Sequence, residues 1–423
     1  MGTMRGRLAR AVTVVALAFG AACVAGCGSD AATSESGRTL RVPADHATIQ
    51  AAVDAAHRGD LILIAPGEYR ERVLVATAGL TIRGEQRNEV ILDGGHELFN
   101  GVEVTASGVA VENLTVRNYV YNAVLIDGAG DGYGDPGEFA PAVDGYRVSY
   151  VTTSNNGLYG IYAFGARNGE ISHSYASGHP DSGFYIGQCK PCNVVLDDIV
   201  AEHNAIGYYG TNASGGVYVV NSTFRGNRLG IAPNSQDAEL LAPQAETVVA
   251  GNLVDGRDAA AAPAIPQGLF GGGIAVGGGT GNTVVRNRVF GSAAYGIGLV
   301  ALGKYQPEGN RVEANVLDDN AIDLLYAPSV GTSAAGNCFT GNTFTVTVPD
   351  AIEQLLPCSG TAAAALPLEQ PVLPVAPPTV DYRTIALPGP QPDMPDATTA
   401  APRPAGPPTV PDVDAIQVPA AVT

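Results

Sequence analysis

The chain has 423 residues, a formal charge of −18, 54 glycines, 29 prolines and no tryptophan. Three of its few basic residues (Arg5, Arg7, Arg10) fall in the first 27 positions, which hold no acidic residue, so the remainder is more acidic still. Such a surface excludes nucleic acid and anionic membrane as direct partners, and it repels a polyanionic glycan unless a cation or a local basic patch intervenes.

The N-terminus reads as an address. Arg5, Arg7 and Arg10 precede the apolar run Ala11–Ala22, which is too short to span a bilayer comfortably. Val24-Ala25-Gly26-Cys27 then resembles the bacterial lipobox. The resemblance implies cleavage before Cys27, acylation of its thiol, and a mature chain held at the cell membrane on its extracytoplasmic face. Disulfides persist there, and Cys338 is expected to pair with Cys358, and Cys189 with Cys192. A CxxC can be redox-active, but it then normally opens a helix in a βαβ setting; this one sits among coil turns. Residues 28–38 form a short polar tether.

Leu40-Arg41-Val42 begins a strand, and Thr48–His57 comes next as a short helix with Ile49, Ala52, Val53 and Ala56 on one face. Gly59 stops it. The helix is expected to cap the N-terminal end of the repetitive region. Short β-branched runs broken by Gly, Asn and Ser occupy the rest of 39–359, with no stripe long enough for a crossover helix. Apolar anchors return at Ile161, Tyr185, Tyr208 and Ile231, at spacings of 24, 23 and 23. Polar anchors at Asn113, His173, Asp197, Asn221, Asn252, Asn287, Asn315 and Asn342 read as stacked corner residues that satisfy one another and the turn backbone. A fixed period with short strands and no helices points to an all-β chain wound as a single-stranded parallel β-helix. At ~4.8 Å per coil, roughly a dozen coils would extend about 55–60 Å. The interval Val124–Ile161 leaves an insertion over Asp127–Asp144, and Ile231–Ile274 leaves another within 234–270; insertions in solenoids become loops, often on the binding face. Ile352–Leu356 closes the far end. Residues 360–423 hold 15 of the 29 prolines and read as disordered or extended polyproline, with docking along the coil as the alternative.

Several segments carry candidate chemistry. In the first insertion, Asp127, Asp131, Asp135 and Glu138 fall at positions 1, 5, 9 and 12 of a calcium-loop pattern with Gly132 at position 6; Ala129 and Gly134 depart from it, and no helices flank it. Calcium is the expected cofactor there. Of the 17 tyrosines, 12 lie between Tyr119 and Tyr218. Aromatic faces stack on sugar rings, so Tyr159, Tyr162, Tyr185 and Tyr208, with Gln188, are the candidate glycan contacts. The stretch Ser177–Cys192 crowds His179, Asp181 and Lys190 together, and Arg225 lies one coil on. These four are the catalytic candidates, His179 and Asp181 as an acid/base pair and Lys190 or Arg225 as base or carboxylate clamp.

The run TIQAAVDAA, GD-LILIAPGEYRE, LTIRGE and VILDGG resembles the opening coils of the pectin-lyase-like superfamily, over about residues 40–345. That superfamily includes pectin methylesterases, polysaccharide lyases, and the periplasmic NosD-type and carbohydrate-binding β-helix proteins. Gly67-Glu68-Tyr69-Arg70-Glu71 fits a coil shared with the methylesterases, whose catalytic Gln-Asp-Thr-Leu and Asp-Phe-Ile-Phe-Gly segments are absent here. No polygalacturonase-like Asn-Thr-Asp or Gly-His-Gly, nucleotide loop or zinc-helix motif occurs. The expectation is a monomer that binds or processes polysaccharide, as a calcium-assisted lyase or epimerase if enzymatic. A non-enzymatic NosD-like scaffold for a protein partner is the alternative.

Overall fold

The computed structural model describes residues 37–128, 143–266, 268–329, 336–363, 366 and 371–421. The chain divides into two compact units, Met1–Glu35 and Ser36–Thr423, and the described residues all lie in the second.

That unit is a parallel β-helix with two sheets. The narrow sheet has eleven strands, among them Val124–Asp127, Ile161–Phe164, Ser182–Cys189, Ile206–Ala213, Leu229–Asn234, Gly272–Gly277 and Tyr295–Val300. The wide sheet has twenty strands in two rows, joined where Val109–Arg117 and Val143–Ser154 run through both. Each strand pairs with its counterpart one coil away, and the inward residues close a single apolar core.

Register decides which residues point where. The inward column of the narrow sheet runs Ile161, Phe184, Tyr208, Ile231, Ile274, Ile297, all buried. Phe184 therefore takes the place the periodicity assigned to Tyr185. In a strand a one-residue slip moves a side chain to the opposite face, so Tyr185 points outward and Tyr208 points into the core.

Polar corners hold the coils together. Between the two rows of the wide sheet, the N–H of Ser222, Asn252, Asn287 and Asn315 donates to the side-chain oxygen of Asn252, Asn287, Asn315 and Asn342 respectively, at 2.9–3.0 Å. Glu353 ends the column by accepting from the Asn342 N–H at 2.8 Å. A second corner uses Asn204 and Asn227 and then Asn320; a third uses Asn282, Asn310 and Asn337, and the sequence pattern did not disclose it. His173, Asp197 and Asn221 do not occupy the buried column. Ser174 and Ser222, each one residue later, do. Asn113, His173 and Asn221 sit just before it, with φ of 56°, 49° and 49°, the left-handed turn that Asn tolerates better than most residues. His173 lies half-exposed against Asp198 at 2.7 Å.

Helix Ile49–Ala55, capped by the Thr48 hydroxyl, buries Ile49, Ala52 and Val53 at the first coil. Helix Ile352–Leu355 buries Ile352 at the last. Cys189–Cys192 and Cys338–Cys358 are disulfide-bonded.

The proline-rich tail contains no strand among its described residues, in keeping with its composition. Its described part, 371–421, takes the docked, extended form. Proline lacks an N–H but keeps its carbonyl, and guanidinium groups supply the matching donors. Arg228 donates to the carbonyls of Pro377 (2.8 Å) and Pro378 (2.6 Å), Arg87 to Pro392 (3.0 Å), Arg83 to Ala400 (2.6 Å) and Arg288 to Pro419 (2.8 Å). Asn155 donates to Tyr382 and Ile385. Arg87 and Arg228 are almost fully buried, and burial lowers the pKa of both, that of Arg87 to about 10. A hydrogen bond from a charged group is worth about 1.5–3 kcal/mol, and leaving the donor unpaired costs more. Deleting residues 371–423 is therefore expected to lower the melting temperature by at least about 5 °C; calorimetry showing an unchanged transition would refute the clamp.

Candidate functional site

The outward column of the narrow sheet carries the candidate site. Leu125, Tyr162, Tyr185 and Tyr209 are register neighbours. Coils repeat at ~4.8 Å, which is close to the spacing at which aromatic rings contact. The centroids of Tyr162 and Tyr185 are 4.7 Å apart, and those of Tyr185 and Tyr209 are 5.8 Å apart. Tyr159, from the preceding corner, adds a fourth ring at 4.4 Å from Tyr162 and 5.1 Å from Tyr185. Tyr209 had no place among the candidates, because the tyrosine cluster was represented by Tyr208, an anchor of the repeat that lies in the inward column.

The second insertion folds over this ladder. Asn212, at a φ of 47°, donates to the carbonyls of Gln236 (2.7 Å), Glu239 (2.8 Å) and Leu240 (3.0 Å), and the Leu240 N–H donates to Gln188 at 2.9 Å. So pinned, the loop brings Glu239 to the Tyr185 hydroxyl, which donates to its Oε1, and Gln236 to the Tyr209 hydroxyl. The Tyr159 hydroxyl faces Asp181. Glu239 Oε2 and Asp181 Oδ1 are buried with no hydrogen-bond partner.

Burial of the two carboxyls dominates their electrostatics. Desolvation pushes Asp181 up to about 6, against smaller opposing contributions from the Tyr159 and Ser182 hydroxyls. Glu239 is pushed up to about 7, chiefly by desolvation and further by the Asp181 charge, against the opposing effect of the Tyr185 hydroxyl. Burial drives Tyr159 and Tyr185 well above the usual phenol range, so neither supplies a phenolate near neutral pH. A carboxyl that titrates near the working pH is the right kind of group to donate or accept a proton.

The sequence candidates divide. Tyr159, Tyr162, Tyr185 and Asp181 come together here. Gln188 is buried and holds the loop. Tyr208 is wholly inside the core. His179 is also fully buried, in the second polar corner, with Nε2 3.1 Å from the Thr153 hydroxyl and Nδ1 3.4 Å from the Asn156 carbonyl. Desolvation lowers its pKa to about 4. It is a corner residue rather than a partner of Asp181. Lys190 is exposed beyond the far end of strand Ser182–Cys189, about 30 Å of extended chain from Asp181. Arg225 lies on the wide sheet, paired with Glu202 at 2.9 Å. Neither cation joins the carboxyls. Asp127 ends its strand on this sheet; Asp131, Asp135, Glu138 and Cys27 lie outside the described residues. Glu239 was missed because an insertion carries no periodic signal.

A family model described as right-handed β-helix region matches residues 100–262, and the fold is a right-handed parallel β-helix. No curated protein matches the chain. Among solved structures, the chain is similar to an alginate lyase from Paenibacillus sp. str. FPU-7 (15% identity, TM-score 0.46, 73% of this chain and 99% of that one). It is similar to the mannuronan C-5 epimerase AlgE6 A-module of Azotobacter vinelandii (15%, 0.45, 70% and 93%) and to the pectate lyase Pel9A (14%, 0.38, 82% and 89%).

The raised carboxyl pKa values have a signed consequence for stability. In the unfolded chain these groups ionise near 3.8 and 4.5, and in the fold near 6 and 7. The native state thus holds protons that the unfolded state has lost, and stability falls as pH rises through that interval. Glu239→Gln removes its share of this cost. Melting curves are expected to show the variant more stable than the wild type at pH 8, with the advantage gone at pH 4. An equal difference at both pH values would mean that Glu239 is not desolvated.

Proposed function

We propose that this chain binds and processes a polysaccharide laid along the tyrosine column of the narrow sheet, anchored outside the cytoplasm through an acylated Cys27. The observation that carries this reading is the run of Tyr159, Tyr162, Tyr185 and Tyr209 rings, 4.4–5.8 Å apart, beside two carboxyls with unpartnered oxygens. Aromatic faces pack against the apolar faces of sugar rings; Tyr159, Tyr162 and Tyr209 are half-buried and reach the surface, while Tyr185 lies buried between them under the loop. A column built by coil repetition presents similar contacts again and again, which suits a polymer. Two disulfides fit an oxidising compartment.

For a lyase or epimerase acting on a uronate, the work divides between the carboxyls. Ionised Asp181 accepts the proton beside the substrate carboxylate. Protonated Glu239 donates a hydrogen bond to that carboxylate, favouring the enolate that forms when the C–H bond breaks. Elimination then expels the glycosidic oxygen, which takes up the proton carried by Asp181; in epimerisation water protonates the opposite face of the carbon, and Asp181 gives its proton to the hydroxide left behind. Calcium is proposed at the 127–138 loop, with Asp127, Asp131, Asp135 and Glu138 as ligands, where it would offset the acidity of the chain toward a polyanion.

Glycan-array binding and an unsaturated-uronate absorbance assay, each with and without added calcium, test the reading. Losing one stacked ring is worth about 0.5–1.5 kcal/mol, so Tyr162→Ala is expected to weaken glycan binding roughly two- to tenfold. Asp181→Asn is expected to retain binding and lose turnover. A wild-type chain that retains no glycan in either condition would overturn the proposal and favour the protein-scaffold alternative.

A further inference from the structure

The outward column changes character halfway along the narrow sheet. After Tyr162, Tyr185 and Tyr209 come Ala232, Ala275 and Gly298, each one residue beyond the inward anchors Ile231, Ile274 and Ile297. Where three coils carry rings, the next three carry almost no side chain. The space so left is partly walled. A second apolar cluster, separate from the coil core, gathers Leu229, Ala232, Ile265 and Ala275, with Tyr209, Leu269 and Tyr295 packed on it. A cavity of about 330 Å³ lies over this cluster, between the 235–238 and 302–305 loops. Ala232 and Ala275 line it together with Tyr209 and Tyr295. Its mouth is polar, with Asp237 bonded to Lys304 at 2.7 Å and to the Tyr305 hydroxyl at 2.6 Å.

We propose that this cavity is a binding site for an uncharged aromatic ring, which continues the stack begun by Tyr162, Tyr185 and Tyr209 at the positions where Ala232 and Ala275 leave it empty. Three features select that guest. Two coils without rings span roughly 10 Å at ~4.8 Å each, room for a flat group beside Tyr209. The cavity exceeds the ~150 Å³ that admits benzene in an apolar protein interior. The Asp237–Lys304 pair stands where a hydroxyl on the ring would emerge. Tyr209 belongs both to the cavity wall and to the proposed glycan face, so a ring carried as an ester by a polysaccharide reaches the cavity while the polymer tracks the tyrosines. This last step rests on the polysaccharide reading; the cavity's preference for an aromatic ring does not.

Calorimetric titration tests it with three probes: methyl 4-hydroxycinnamate, xylan bearing the same 4-hydroxycinnamoyl ester, and that xylan after saponification. The variants are Ala275→Phe and, as a smaller filler, Ala232→Leu, each accepted only if its melting temperature stays close to wild type. The expected result is that wild type binds the free ester, that both folded variants bind it at least about tenfold more weakly, and that the esterified xylan binds more tightly than the saponified one. Free ester bound by neither wild type nor variants, or bound equally by all three, overturns the cavity assignment. If the free ester binds in a filler-sensitive way and neither polymer binds, the assignment stands for free aromatic compounds and the delivery of the ring on a polymer falls, while the polysaccharide reading is decided by the glycan array. If both polymers bind equally and the free ester is ignored, the polysaccharide reading stands and the cavity assignment falls.

Discussion

At three corners of this coil a column of buried N–H groups is satisfied by side chains on the next coil. The backbone of Asn252 is completed by Asn287, that of Asn287 by Asn315 and that of Asn315 by Asn342. A buried donor left unpaired costs more than a typical hydrogen bond contributes, so no coil can slide against its neighbour by even one residue. That constraint, repeated at three corners, fixes the register of both sheets. Everything outward-facing inherits it: tyrosines separated by a full coil in sequence stand ring against ring only because the amides inside hold the turns in step.

The two sheets then part in chemistry. The hydrogen bonds of the tail go to wide-sheet strands and to corners, where arginines offer donors and the prolines offer carbonyls. The tyrosine column and the Asp181–Glu239 pair on the narrow sheet are left to the 235–243 loop. An acidic chain has gathered two further carboxyls in a desolvated place, with Lys190 and Arg225 both held elsewhere. Such an arrangement costs stability at neutral pH and leaves groups able to move protons there, which is why this face, and not the arginine-lined one, is the seat of the proposed chemistry.

How much of this the sequence disclosed depends on where periodicity reaches. The ~23-residue repeat, the capping helix after Thr48, both insertions and both disulfide pairings could be read directly. The repeat placed whole coils but not single residues: Tyr185 stood in for Phe184, and His173 and Asn221 for Ser174 and Ser222. Two-residue alternation along a strand punishes that slip fully at Tyr185; Tyr208, a true inward anchor, was counted with the surface tyrosines as well, and Tyr209 was overlooked. His179, crowded with Asp181 in sequence, lies in the corner before the strand, where alternation does not apply, and its N–H joins the buried column through Asn204. Glu239 was invisible for a different reason, since its position is set by three hydrogen bonds from Asn212 to a loop that has no period. The arginine seats of the tail escaped likewise, because main-chain carbonyls leave no trace in side-chain pattern.

The central claim is that coil register brings Asp181 and Glu239 into one desolvated site. Carboxyl ¹³C shifts, tracked by NMR against pH in Asp- and Glu-labelled protein, test it most directly. The account predicts two carboxyls with midpoints near 6 and 7, each removed by Asp181→Asn or Glu239→Gln respectively, and a lower midpoint for the Glu239 resonance once Asp181 is neutralised. Both groups titrating in the ordinary carboxylate range, each indifferent to loss of the other, would contradict it.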